Sequence, residues 1–177
     1  DNVLNDQRHV IFSQRKNVMN SEKVFDYSDE FLSEIIEHLK FLKTQNLSKT
    51  KNNEFNNQLK ILLGKSIDNI ELEKLENLKS EELEKKINQK FLDSRNERIK
   101  ILDENRAKEI EKRIFLQSID LSWKSHIQYL EQLRQVIGLR SYGQRDPLVE
   151  YKKEAFDLFE NLLNKLKIDF VTILINL

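Results

Sequence analysis

Few residues of this sequence have the types and spacing that chemistry needs. There are no cysteines among the 177 residues, so disulfides, thiolate metal sites and cysteine nucleophiles are excluded. His9, His38 and His126 are isolated, with no ligand set at metal spacing. They are read as surface or packing histidines, and His126, close to Trp123 on one predicted helix, as packing. Gly64-Lys65-Ser66 resembles the tail of a phosphate loop. That pattern needs a glycine where Leu59 stands and a strand where the periodicity is helical, so Gly64 is read as a helix C-cap. No catalytic residue, metal ligand or cofactor-binding residue is assigned.

The segment from Gly138 to Pro147 is different. It holds two of the three glycines and the only proline. Gly138 and Gly143 supply permissive backbone, while Asp146 and Pro147 can cap and open a helix. Turn chemistry leaves Arg140, Tyr142 and Arg145 unexplained. An aromatic ring with two guanidinium groups at a turn suits contact with another molecule, and the residue types leave a bare turn and a contact site equally open.

Composition says what must position that turn. Hydrophobic residues are 38% and charged residues 34%, a balance that fits long solvated helices better than a compact sphere. Thirty basic and thirty acidic residues cancel, which argues against a general nucleic-acid binder. No stretch approaches the roughly 20 apolar residues needed to span a bilayer. The chain opens at Asp1 inside a helical pattern, which predicts a piece of something longer.

The periodicity predicts an all-α fold. Val3, Leu4, Gln7, Val10, Ile11, Gln14 and Val18 form a first stripe, with a stop at Asn20-Ser21. A second helix is predicted near 28–43, capped by Ser28, with Phe31, Ile35, Leu39 and Leu42 inward. The polar run 44–53 reads as a loop, followed by a short helix over 54–63. Asp68 and Glu71 resemble a capping box ahead of Ile70, Leu72, Leu75 and Leu78. Ser80 is expected to cap a long helix carrying Leu83, Ile87, Phe91, Ile99 and Leu102, with a kink at 103–105. The charged stretch 68–90 reads as a solvated face with i, i+4 pairs.

A helix then runs to about Gly138, about 50 Å long at 1.5 Å per residue. Ile110, Ile114, Ser118, Leu121, Ile127 and Leu130 mark one side, widened by Phe115, Trp123, Leu133 and Ile137. The last helix starts at Pro147 and lines Ala155, Phe159, Leu162, Leu166, Phe170, Ile173 and Leu177 inward. Two long helices with one concentrated break make a helical hairpin whose tip is 138–147.

Three separated motifs then match a known family. Leu133-Arg134-Gln135-Val136-Ile137-Gly138-Leu139-Arg140-Ser141-Tyr142-Gly143-Gln144-Arg145-Asp146-Pro147, with Glu150-Tyr151-Lys152-Lys153-Glu154, resembles the family pattern LRQGIGLRGYAQKDPxxEYKRE of the SecA preprotein-translocase ATPases. Phe115 to Asp120 with Trp123, Lys124 and His126 is similar to LQTLDxLWxEH. Asn5-Asp6-Gln7-Arg8 and Ile11-Phe12-Ser13-Gln14-Arg15 are similar to NDQRxxIYSQR, with Phe12 where tyrosine is usual. Residues from about 21 to 103 match only in length and helical character. At the tip Ser141 replaces Gly, Gly143 replaces Ala and Arg145 replaces Lys.

The resemblance implies a map: residues 1–20 as the end of a long scaffold helix, 21–103 as a helical wing and 104–177 as a two-helix finger. It implies that Tyr142, with Arg140, Ser141, Gly143 and Arg145, meets the SecY channel and an unfolded preprotein. Trp123, Asn5, Asp6 and Arg8 would pack against the motor domains of the same protein. ATP and magnesium would bind those domains, so this chain alone is expected to need no cofactor and to catalyse no reaction. The implied location is the bacterial cytoplasm and the cytoplasmic face of the inner membrane, without nucleic acid as partner. A free-standing helical adaptor is the reading from another class.

Overall fold

A computed structural model describes residues 2–19, 21–48, 54–139 and 146–177. Among them are seven α-helices and the 3-10 turn Ser21–Lys23, with no strand, so the all-α expectation holds. In order they are α1 (Asn2–Met19), the turn Ser21–Lys23, α2 (Val24–Ser48), α3 (Glu54–Leu63), α4 (Asn69–Glu76), α5 (Ser80–Leu102), α6 (Glu104–Ile137) and α7 (Pro147–Ile175). They gather into two compact units, Asp1–Asn20 with Arg113–Leu166, and Ser21–Lys112 with Lys167–Leu177. Helices α6 and α7 each contribute residues to both.

In the unit built on α2 to α5, α2 packs on α3 and α5, and α3 packs on α4. The expected inward residues Phe31, Ile35, Leu39 and Leu42 are buried, and Phe31 meets Phe170 of α7 edge-on at 6.2 Å between ring centres. Helix α3 has the predicted bounds and buries Phe55, Leu59, Leu62 and Leu63. Asp68 caps α4, its carboxylate accepting from the Glu71 amide at 2.8 Å.

Several local expectations fail for identifiable reasons. Ser28 caps nothing: α2 begins at Val24, and the buried Ser28 hydroxyl, with one hydrogen to give, lies 2.9 Å from both the Val24 carbonyl and a buried carboxylate. The predicted loop 44–53 is helical through Ser48, and residues 49–53 lie outside the described residues. The N-cap of α5 is Lys79, without a side-chain bond, so Ser80 is already helical. The expected kink at 103–105 is a full break. Asp103 has φ 78° and ψ 168°, a conformation that normally belongs to glycine, and its carboxylate accepts from the Arg106 amide at 2.9 Å to start α6.

Stripe residues at the margins also turn outward: Val10, Ile70, Leu121, Ile173 and Leu177 are exposed. The buried line of α6 runs through Ala107, Phe115 and Ile119 instead, rotated from the stripe read through Ile110 and Ile114. On α7, Val171, Leu174 and Ile175 are buried in place of Ile173 and Leu177. In the charged stretch 68–90, ion pairs tie separate helices: Lys90 of α5 pairs with Glu71 of α4 at 3.2 Å, and Glu84 of α5 pairs with Lys40 of α2.

The least expected feature is a buried charge cluster. Glu111 is fully buried, and its carboxylate accepts from Arg98 at 2.9 Å, Arg95 at 3.2 Å and the Ser28 hydroxyl at 2.9 Å. Arg95 also pairs with Asp29 at 2.8 Å and lies over the rings of Phe25 and Phe91. Arg98 donates to the Leu174 carbonyl near the end of α7 at 2.8 Å, where a cation complements the helix dipole. One carboxylate therefore draws together α2, α5, α6 and, through Arg98, α7. Removing one partner of a buried ion cluster strands the others and costs about 3 kcal/mol or more. Glu111→Gln should destabilise the chain by about that amount in urea unfolding; an unchanged midpoint would show that the cluster contributes nothing net.

Candidate functional site

The hairpin is built where the sequence puts it. Asp146 accepts from the Leu148 amide at 3.0 Å, and Pro147 is the first residue of α7. In the unit that holds the hairpin arms, Leu130, Leu133 and Ile137 of α6 cluster with Tyr151 and Ala155 of α7, with Val3 and Leu4 of α1 packed against them. Farther from the break, Trp123 meets Phe159 edge-on at 6.5 Å. Ile137 and Tyr151 lie near the break and Trp123 and Phe159 away from it, so the arms run antiparallel.

Gly138 does not have the conformation expected of it. No described glycine has a positive φ, and a Cβ at Gly138 would meet nothing within 4 Å. Beside it lies a pocket of about 360 Å³ lined by Arg134, Ile137, Gly138, Pro147, Leu148 and Tyr151. Around this neck Val136, Leu139, Leu148, Val149 and Phe156 are exposed, Leu139 to 70% and Phe156 to 61%. Burial pushes the Tyr151 hydroxyl above its ordinary pKa, and Arg134 partly opposes this. The tip residues Arg140, Ser141, Tyr142, Gly143 and Arg145 lie outside the described residues.

Helix α1 lies along the arms and makes the site's polar core. Its Gln7 is buried, with the side-chain Nε2 donating to the Ala155 carbonyl at 3.0 Å and Oε1 facing His126 Nε2 at 2.7 Å. A carbonyl only accepts, so the amide nitrogen of Gln7 must face Ala155. Its oxygen then accepts from His126, which places the imidazole proton on Nε2. His126 packs against both Trp123 and Phe159 at a tilt, 5.6 Å from each ring centre, and burial lowers its pKa. The packing role expected for His126 is what the geometry gives. The sequence reading did not foresee the hydrogen bond to Gln7; the glutamines on the α1 stripe, Gln7 and Gln14, hinted at a polar contact without naming its partner.

Across the same helix, Ile11, Phe12, Arg15, Lys16 and Met19 of α1 line a groove of about 420 Å³ with Asp120 and Trp123 of α6. Arg15 and Asp120 pair across it at 3.1 Å, while Phe12 and Met19 remain half or more exposed. By helical spacing Asn5 and Arg8 continue the Phe12–Met19 face and Asp6 does not. Asn5 and Asp6 are exposed and Arg8 is half-buried. The structure thus brings Trp123 to the groove and leaves Asp6 off its face.

The phosphate-loop look-alike has no such geometry. Gly64 follows a helix, and the amides of Gly64, Ser66 and Ile67 donate to the carbonyls of Lys60 and Leu63. Gly64 suits its place because a Cβ there would collide with the Lys60 carbonyl oxygen. Among the described residues no group of three His, Cys, Asp or Glu could hold a metal.

Comparison with known proteins bears on the whole chain. The model of the SecA wing and scaffold domain matches residues 1–177. The protein translocase subunit SecA of Pelagibacter ubique is 81% identical over 177 residues, covering all of this chain and 21% of that protein. The SecA subunit of Caulobacter vibrioides is 37% identical over 94% of this chain and 18% of its own length. SecA 1 of Clostridioides difficile is 35% identical over all of this chain and 20% of its own length. The chain spans about a fifth of the length of these curated relatives.

The lowered pKa of His126 fixes a pH dependence. The unfolded chain takes up this proton near the ordinary value of 6.5, whereas the folded chain resists it until lower pH. The stability tied to the neutral ring is full above the unfolded pKa and is lost as pH falls through the folded one. Trp123 is the single tryptophan, so its fluorescence reports this cluster directly. Thermal melts should fall between pH 7.5 and 5.5, and His126→Gln should flatten that fall. Equal slopes in the two proteins would show that His126 is not its source.

Proposed function

The chain belongs to the SecA wing and scaffold domain family, and from that premise we propose that it forms the mechanical arm of an ATP-driven protein translocase. In this reading residues 1–20 end the scaffold helix, 21–103 form the wing and 104–177 form the two-helix finger. The finger presents Tyr142, flanked by Arg140, Ser141, Gly143 and Arg145, to the SecY channel and to the unfolded preprotein. ATP hydrolysis belongs to motor domains outside this chain, which itself binds neither nucleotide nor metal. The protein works at the cytoplasmic face of the bacterial inner membrane and reaches it through the channel; no helix among the described residues is long and apolar enough to cross a bilayer.

The observation that carries this reading is the hairpin neck. Leu130, Leu133, Ile137, Tyr151 and Ala155 pair the arms tightly up to the tip segment, while Val136, Leu139, Leu148, Val149 and Phe156 face outward around it. A stiff stem with an apolar collar suits a tip that must press on chains of varied sequence. A tyrosine there offers apolar area and one hydroxyl with few rotors to fix. Tyr142→Ala in the full-length protein should reduce preprotein import into inverted membrane vesicles severalfold, with basal ATP hydrolysis retained. Unchanged import would refute the fingertip role.

The groove between α1 and α6 favours a regulatory role for the same arm. Phe12, Met19 and Trp123 offer apolar surface there, with the Arg15–Asp120 pair across it. Together with Asn5 and Arg8 this face would seat a motor domain and restrain it until the channel binds; Asp6, expected to join them, lies off the face. Trp123→Ala should raise basal ATP hydrolysis of the full-length protein severalfold, and an unaltered basal rate would refute the restraint.

A further inference from the structure

We infer that the pocket at the hairpin neck seats one apolar side chain of the polypeptide being moved, and that Gly138, by being bare, keeps its mouth open. The pocket holds about 360 Å³, at the small end of the roughly 300–1,000 Å³ usual for ligand pockets, which is room for one large side chain. Ile137, Pro147, Leu148 and Tyr151 supply apolar wall, and Arg134 brings a guanidinium to the edge. Ile137 and Tyr151 belong to the buried stem core, so that part of the wall is held in place. Leu148 is 59% exposed, and so in reach of a partner.

A glycine just past a helix usually has one of two structural reasons: a positive φ that other residues avoid, or an approach too close for a Cβ. Gly64 has the second, since a Cβ there would collide with the Lys60 carbonyl oxygen. Gly138 has neither. Its φ is not positive, and a Cβ would meet nothing within 4 Å. The fold gains nothing from the bareness of Gly138, which loosens the end of α6 relative to alanine. What the missing side chain leaves is open space at the edge of the pocket that Gly138 lines.

The occupant that fits is an extended polypeptide rather than a lipid surface. Lys152 and Lys153 are matched within the same turn by Glu150 and Glu154, so this part of the stem offers no basic excess to anionic headgroups. Arg134 can donate to the backbone carbonyls that every polypeptide carries, while the pocket takes the side chain. A single side chain in an open pocket is held weakly and leaves readily, which suits a chain that must pass on.

This inference rests on the fingertip reading above and adds a second contact to it. The full-length protein, with benzoylphenylalanine in place of Leu148, is engaged with channel-bearing vesicles and an arrested preprotein, and the photo-adduct is identified. Two preproteins are compared, one with a leucine stretch and one with a serine stretch at the channel entrance. The leucine form should be labelled roughly threefold more, because only its side chains gain from leaving water. In Gly138→Leu, whose added side chain fills the mouth, labelling of the leucine form should fall to the serine level while the melting temperature holds or rises. Equal labelling of the two preproteins, undiminished labelling in Gly138→Leu, or adducts confined to lipid or to the channel overturns the pocket. If Gly138→Leu does not fold, the comparison of leucine with serine decides alone. Selective labelling together with unchanged import in Tyr142→Ala supports the pocket and sinks only the fingertip. Import lost in Tyr142→Ala without selective labelling sinks only the pocket.

Discussion

A buried carboxylate cannot be left alone, and Glu111 shows how far that requirement reaches. Taking one charge out of water costs several kcal/mol unless opposite charge and hydrogen bonds replace the solvent. Glu111 meets the demand with Arg95, Arg98 and the Ser28 hydroxyl, which come from two further helices. Those arginines must in turn be satisfied, and they reach Asp29 and the Leu174 carbonyl. The geometry of α2, α5, α6 and the end of α7 is thereby set by directional bonds as well as by packing. The cluster also explains a thin apolar stripe: α5 buries Leu83, Ile87 and Phe91 and then continues inward with Arg95 and Arg98.

The hairpin solves the register problem with a neutral group. Gln7 carries donor and acceptor on one amide and satisfies both across two helices, with no charge to desolvate. The two devices differ in what they permit. Separating an ion cluster of four side chains exposes several charges at once, whereas withdrawing one glutamine costs two hydrogen bonds.

Much of the architecture was legible in the sequence because it is written in residues with local rules. Glu54–Leu63 emerged with the predicted bounds, Asp68 and Asp146 cap where their side chains say they should, and Pro147 opens α7. Illegible features depended on partners distant in sequence. Ser28 has the chemistry of a cap, yet its hydroxyl serves Glu111, 83 residues away. Charged residues on an inward stripe look solvated until their counter-ions are found. In the 34 residues of α6 apolar side chains occur on more than one side, so periodicity alone could not choose Ile119 over Leu121. Of the candidate site, Trp123 and the stem were readable, and the Gln7–His126 bond was not, because it joins residues 119 apart.

The division of α6 and α7 between two units has a consequence for biosynthesis. The unit built on α2 to α5 takes its last part, residues 167–177, from the end of α7 and the residues after it: Phe170 seats Phe31, the Leu174 carbonyl receives Arg98 and Ser94, and Asn176 donates to the Leu62 carbonyl. A ribosome delivers these residues after every other part of the unit. During elongation the exposed face of α2, α3 and α5 must wait, with Arg98 lacking its carbonyl, until the far arm of the hairpin has emerged. A nascent chain of this design completes one unit at Leu166 and the other only with residues 167–177, and until Leu174 arrives the apolar surface of the second stays uncovered, the kind of surface that draws partly folded chains into aggregation.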